Sequence, residues 1–205
     1  MRFFHSRVAL LSAVLPMGLA ISACNQPPAA QPAPATPAAA PAAAPAQSPV
    51  ERGKMLVYGG GCHDCHTPMK LGPGGVEPDM SRMLSGHPQD IVIDGPMKPV
   101  GPWVTATNAT NTAWSGAWGV SFGVNLTPDP ETGLTMTERN FVIALKTGSH
   151  LGTARPILPP MPWQMYRELP EEDLKAIYAY LKSIPPVKNQ VPAPIPPAAA
   201  PAAKK

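Results

Sequence analysis

Residues 26–49 read QPPAAQPAPATPAAAPAAAPAQSP, almost nothing but alanine and proline. No apolar period runs through them and almost nothing large is available to bury, so no core forms there. Closely spaced prolines favour extended polyproline II, and at ~3.1 Å per residue the stretch would reach up to roughly 75 Å. The chain ends in VPAPIPPAAAPAAKK, the same composition, which is expected to be a disordered tail. These two segments hold many of the 30 prolines in the 205 residues and leave about residues 51–187 to build a core. A domain of that size commonly gains stability from a cofactor.

The first residues carry an address. Arg2 and Arg7 precede an apolar run from Val8 to about Ala20 that closes on small residues, the layout of a secretory signal. The run is short against the ~20 apolar residues of a spanning helix, and Pro16 and Gly18 interrupt it. Its end, ISAC, resembles a bacterial lipobox, which makes Cys24 the expected acylation site; ordinary cleavage with Cys24 left as a free thiol is the alternative. Several acyl chains, at about 0.8 kcal/mol per buried CH₂, anchor a protein stably to a membrane. The expected organisation is a signal peptide over 1–23, a lipidated Cys24 with its linker over 24–50, one domain over 51–187 and a disordered tail over 188–205. The expected location is the cell envelope, lipid-anchored and facing the periplasm.

Without Arg2 and Arg7 the chain keeps 14 basic against 13 acidic residues. That balance gives no electrostatic case for nucleic acid as a partner, and no glycine-rich loop leads into Lys and Ser/Thr. Three helices are predicted. VERGKMLVYGG is short and runs straight into the cysteines. TMTERNFVIALKTG opens with Thr135 and Glu138 in capping-box spacing, gathers Phe141, Ala144 and Leu145 on one face and stops at Gly148. PEEDLKAIYAYLKSIPP places Pro170 at the first helical position, Glu171, Glu172 and Asp173 at the positive end of the dipole, and Leu174, Ile177, Tyr178 and Leu181 in a stripe. Between 67 and 134 the abundance of Gly, Pro, Thr and Asn predicts loops, with one short helix near 79–84. The fold expected from these elements is all-α: a few helices and long loops around one bound group.

That group is argued from GGGCHDCHTP, residues 59–68. Cys62, Cys65 and His66 form Cys-Xaa-Xaa-Cys-His, which reads as attachment of a c-type haem. Two thiols three positions apart on a turn each reach one porphyrin vinyl group, and the next residue is carried under the iron as axial ligand. Three rivals stand beside this reading. A zinc site needs further ligands, commonly a second cysteine pair, and the sequence offers only Cys24. A redox dithiol belongs in a strand–helix context with a low-pKa thiol. A Cys62–Cys65 disulfide leaves His66 unexplained. Export favours haem c, one group for one motif. His63 and Asp64 read as solvated spacers within the motif.

Haem iron held by His and Met has a raised potential suited to electron transfer. Met161 is the expected second ligand, because RPILPPMPW sets it among prolines that stiffen the backbone. Met69 is too close to His66; Met80, Met83 and Met97 sit in the middle loop, and Met136 sits at a helix cap. His150 is the competing ligand, and simple core packing is the bland alternative for Met161. Arg155, Trp163 and Tyr166 flank Met161 and are candidates for haem propionate or haem-edge contacts, Arg through its planar donors. Trp103, Trp114 and Trp118, in loop 101–124, read either as ordinary packing or as a haem shield or docking patch.

RGKMLVYGGGCHDCHTP, NLTPDPETGLTMTERNFVIALKTGSH and RPILPPMPWQMYRELPEEDLKAIYAYLKSIPPV together resemble the bacterial class I c-type cytochromes. The resemblance implies a cytochrome c-like domain over most of 51–187, with Cys62 and Cys65 as thioether sites, His66 proximal and Met161 distal. NLTPDPETG also looks like cytochrome subunits of membrane-bound alcohol and sugar dehydrogenases, which usually carry several haem motifs where this chain has one. The implied function is one-electron transfer between redox protein partners, membrane complexes or dehydrogenases, rather than enzymatic turnover. A cytochrome subunit of a dehydrogenase or oxidase complex and a haem-based sensor are the alternatives.

Overall fold

The computed structural model describes residues 47–98, 100–150 and 155–197. The expected signal peptide, Cys24 and nearly all of the linker therefore lie outside the described residues. So do residues 198–205.

The chain enters on α1, Pro49–Gly59, two residues inside the expected linker. Ser48 caps it: the Ser48 hydroxyl accepts from the Glu51 amide at 3.2 Å and the Glu51 carboxylate accepts from the Ser48 amide at 2.9 Å. Pro49 sits where its missing N–H costs nothing. A short helix α2, Cys62–His66, follows, and α3 spans Glu138–Thr147. The cap of α3 is Thr137 rather than Thr135, and Gly148 at φ +73° ends it as expected. A one-turn helix α4, Trp163–Tyr166, precedes α5, Glu171–Ser183, whose N-cap is Pro170. Helices α1 and α5 form the principal contact. Gly53 and Val57 of α1 face Leu174, Ala176, Ile177, Tyr180 and Leu181 of α5, all buried. Arg52 clasps Asp173 across them with two hydrogen bonds of 2.8 Å. Helix α3 lays Phe141, Val142 and Leu145 into the same core, with the Phe141 and Tyr178 rings 5.6 Å apart.

The expected all-α architecture does not hold: the fold is mixed, with five helices and, in two antiparallel sheets, five strands among the described residues. Strands β1, Met69–Gly72, and β2, Gly75–Pro78, form a hairpin directly after the cysteine motif. Strands β3, Ala106–Thr107, β4, Ala113–Gly116, and β5, Gly119–Phe122, form a sheet in that order. Both hairpins close on Gly-x-x-Gly, Gly72 to Gly75 and Gly116 to Gly119, with the second glycine at φ +116° and +95°. The positive φ falls on the glycine that follows the two connecting residues, the place where a left-handed residue closes a type I turn into the strand. A single 3-10 turn, Met80–Arg82, is what stands near the expected short helix.

The expected disordered tail does not hold for residues 188–197 either. Ile195 pairs with Val120 of β5 through N–O contacts of 2.8 and 3.0 Å. Asn189 is buried, and its amide nitrogen donates to the Ser85 and His87 carbonyls at 2.7 and 2.8 Å. Composition favours disorder there; one amide and a strand edge outweigh it. Among the described residues no helix is long and apolar enough to cross a membrane.

His87 is fully buried inside this framework. Its Nε2 donates to the Ile91 carbonyl, its Nδ1 accepts from the Thr112 hydroxyl, and Phe122 lies against the ring. Burial lowers its pKa, with Arg82 adding to the effect and the Ile91 bond and Asp90 opposing it. The unfolded chain therefore binds more protons, so stability rises with pH. The contribution is complete above the unfolded value, about 6.5, and is lost as pH falls through the lowered folded value. His87→Asn is expected to flatten the fall in melting temperature between pH 7.5 and 5, and an unchanged slope would remove His87 as its source.

Candidate haem-binding site

Two glycines, Gly60 and Gly61, separate α1 from α2, and each has a geometric task. Gly61 sits at φ +71°, which turns the chain so that the cysteine helix starts afresh. Gly60 lies under the Tyr166 ring, where a Cβ would come within 3.3 Å of Tyr166 Cε1. Cys62 and Cys65 then stand on one turn of α2 as free, partly buried thiols. Burial pushes the Cys62 thiol up to about 11, offset in part by the neighbouring Tyr166 hydroxyl, and pushes Cys65 up as well. Both are protonated at neutral pH, the opposite of the low-pKa thiolate of a redox dithiol.

His66 ends this helix and is 7% exposed. Its Nδ1 is 2.8 Å from the Val124 carbonyl, an acceptor, so Nδ1 carries the hydrogen and Nε2 keeps its lone pair. Nε2 has no hydrogen-bond partner among the described residues. Burial lowers the pKa of His66, which keeps the ring neutral. A buried neutral imidazole with one nitrogen oriented by a carbonyl and the other bare is the form that ligates a metal.

The clamp on His66 comes from two loops that run together. Gly86 donates its amide to the His66 carbonyl, His87 donates to Gly123 and Leu126 donates to Leu84, at 2.8 to 2.9 Å. The NLTPDPETG stretch holds this clamp rigid. Asn125 Oδ1 accepts from Thr127 N and Oγ1, and Asp129 Oδ1 accepts from Glu131 N, Thr132 N and Thr132 Oγ1. The Val124 carbonyl and this turn are what the residue-by-residue reading missed. The turn left a signal in Asn125 and Asp129; the carbonyl left none.

His63 is not the solvated spacer expected. Its ring lies 4.4 Å from that of Tyr58 and is tilted 51° to it, and its Nδ1 lies 3.0 Å from Thr67 Oγ1, which accepts from the Leu84 amide. The direction of that contact depends on the His63 tautomer, and Nε2 is buried without a partner among the described residues. Asp64 is exposed, as expected.

Met161 lies where prolines flank it, partly buried against the core cluster that Cys62 and Tyr166 also pack on. It lines a cavity of about 290 Å³ with Ile157, Pro159, Pro160, Pro162, Trp163 and Gln164. Tyr166 converges on the cysteine helix, donating its hydroxyl hydrogen to the Gly60 carbonyl beside Cys62. Trp163 instead covers Gly148, with the Arg167 guanidinium 5.9 Å from its ring. Arg155 is exposed, and its guanidinium donates to the Pro156 carbonyl. His150 donates its amide to the Arg155 carbonyl. Of the three tryptophans in loop 101–124, Trp103 is 74% exposed. Trp114 and Trp118 line a cavity of about 240 Å³ with Thr105, Ala106, Thr107 and Pro160, against the Met161 loop. Trp118 Nε1 donates to Ser121 Oγ, which donates to the Pro159 carbonyl.

Among the described residues no three His, Cys, Asp or Glu side chains converge as a ready-made metal cage. The donor set fits a covalent haem: two unpaired thiols on one turn, an imidazole with a bare Nε2, and a thioether in a stiff loop.

No family model matches the chain. A nicotinate dehydrogenase subunit of Pseudomonas putida is similar to it, with 28% identity over 184 residues. The match covers 89% of this chain and 12% of that protein's length.

Proposed function

We propose that this chain is a c-type cytochrome that carries single electrons between redox partners. Haem c would be joined through thioethers to Cys62 and Cys65 and ligated by His66 and Met161. When bound, it supplies a ferrous/ferric one-electron couple. The observation that carries this reading is the His66 ring, buried, oriented by the Val124 carbonyl and bare at Nε2, on the same turn as two free thiols.

The residues divide the work. Cys62 and Cys65 fix position, since two bonds to one turn leave little rotational freedom. The Val124 carbonyl raises the basicity of His66 and holds its tautomer. Prolines 159, 160 and 162 limit the motion of Met161. With two side chains assigned to the iron, no substrate binds there, which suits a carrier. Anchorage through Cys24 and an Ala/Pro tether would let the domain reach partners in the envelope.

A second reading is favoured by the similarity to a dehydrogenase component: the same electron relay, built into a larger dehydrogenase. The two differ in whether the chain purifies alone or in a stable complex with a larger partner.

Absorption spectroscopy of the exported protein, made with a working haem-maturation system, tests the proposal. The expected result is a low-spin ferric spectrum with the weak far-red band of methionine ligation and a bis-thioether haemochrome. Met161→Ala is expected to lose that band and to bind CO when reduced. A colourless protein would overturn the proposal, and an unchanged far-red band in Met161→Ala would remove Met161 as the ligand.

A further inference from the structure

Met161 and Tyr166 belong to one short, heavily tied piece of chain. Trp163 donates its amide to the Met161 carbonyl at 2.9 Å, and Arg167 donates to Trp163 at 2.9 Å. The piece is anchored to two elements, α3 and β5. Ile157 donates to Gly148 at the end of α3, Ser121 of β5 donates to Pro159, and Lys146 Nζ donates to the Arg167 and Leu169 carbonyls at 2.7 Å. None of these anchors touches the cysteine helix. Among the described residues, the hydrogen bond that joins residues 157–169 to residues 58–67 runs from the Tyr166 hydroxyl to the Gly60 carbonyl. Gly60 is two residues before Cys62, so the bond links the two segments that bear the candidate ligands.

We infer that Tyr166 is a positioning residue that sets how firmly the Met161 loop is held against the cysteine helix, and so how readily Met161 yields its place to another ligand. This rests on the haem reading above. It replaces the expectation of a propionate contact for Tyr166, because the hydroxyl hydrogen is already given to Gly60. Tyr166 does not touch the iron in this scheme. Its ring lies over Gly60 and its hydroxyl beside the Cys62 sulfur, so a movement of the Met161 loop away from the cysteines must break this bond. Burial raises the pKa of Tyr166, which keeps the donor protonated through neutral and mildly alkaline pH.

The test is imidazole titration of the ferric holoprotein, following loss of the far-red band, in the parent, Tyr166→Phe and Lys146→Met. Phenylalanine keeps the ring and removes the hydroxyl. Losing one hydrogen bond that exists only in the closed arrangement is expected to tighten apparent imidazole binding about fivefold. Lys146→Met removes two bonds at the far end of the same piece. It is expected to lower the melting temperature while changing imidazole affinity by less than about twofold, as for an independent site. An unchanged affinity in Tyr166→Phe, or equal shifts in both variants, would overturn the inference while leaving His/Met ligation intact. A parent protein that holds haem without a far-red band would instead overturn the ligation and this inference together.

Discussion

Gly53→Val should leave little folded protein, and even Gly53→Ala should be less stable than the parent. Helix propensity argues the other way, since alanine is favoured over glycine by ~1 kcal/mol in a helix interior. The steric term decides. A Cβ on Gly53 would run into the Ala176 carbonyl of α5 and lie 2.9 Å from the Tyr180 Cβ. The first obstacle is helix backbone, which has no rotamer to move into, so the helices must separate. Separation strips packing from Val57, Leu174, Ile177 and Leu181, all 3% exposed or less. Overpacking costs about 1–3 kcal/mol and sometimes more. The branched side chain of valine takes the loss to roughly 3 kcal/mol or beyond. Denaturant unfolding of the parent and both variants measures the order. A stabilised Gly53→Ala would mean that α1 and α5 are not as close as the structure has them.

Helices were the legible part of this fold because each long one carries a period. Leu174, Ile177 and Leu181 all fall on the buried face of α5, and Phe141, Ala144 and Leu145 do so on α3. Tyr178 in the predicted stripe is only partly buried, while Tyr180 takes the core position. The strands were not legible for a physical reason. Strand β4 alternates correctly, with Ala113 and Ser115 inward, yet those residues are too small to register as a hydrophobic period. Signals that do exist lie in the turns: Gly-Pro-Gly-Gly and Gly-Ala-Trp-Gly for the hairpins, and Ser-Pro-Val-Glu for the start of α1.

The site divides in the same way. Spacing alone brings Cys62, Cys65 and His66 onto one turn, and the structure keeps them there. Proximity in sequence was a weaker guide around Met161. Tyr166 reaches the cysteine helix, whereas Arg155 and Trp163, about as near along the chain, turn to Pro156 and to Gly148. The Val124 carbonyl had no signature because every residue has a carbonyl. Its delivery to His66 depends on the rigid turn that follows it, which is where Asn125 and Asp129 become readable.

Residues 188–197 give the second large effect. Ending the chain after Val187 would cost nothing if the remainder were disordered, and a substantial part of the stability if it is held as the structure has it. Asn189 concentrates that difference. Its Nδ2 serves the Ser85 and His87 carbonyls, its Oδ1 accepts from the Gln89 amide at 3.0 Å, and its own amide donates to Thr132 Oγ1 at 3.0 Å. One side chain thereby joins the loop that clamps His66 to the end of the chain. Asn189→Ala leaves two buried carbonyls and an amide without partners, and each unsatisfied group costs about 1–3 kcal/mol where water cannot reach it. With partial relaxation, a net loss of roughly 3 kcal/mol is expected, or a melting temperature lower by about 10 °C. Asn189→Asp should be no better, because the carboxylate loses both donors and faces two carbonyl oxygens. Thermal unfolding of the parent, the truncated chain and both variants decides the matter: the truncated chain and Asn189→Ala should fall together. A truncated chain as stable as the parent would show that the Asn189 network contributes nothing, and that composition had described this segment correctly.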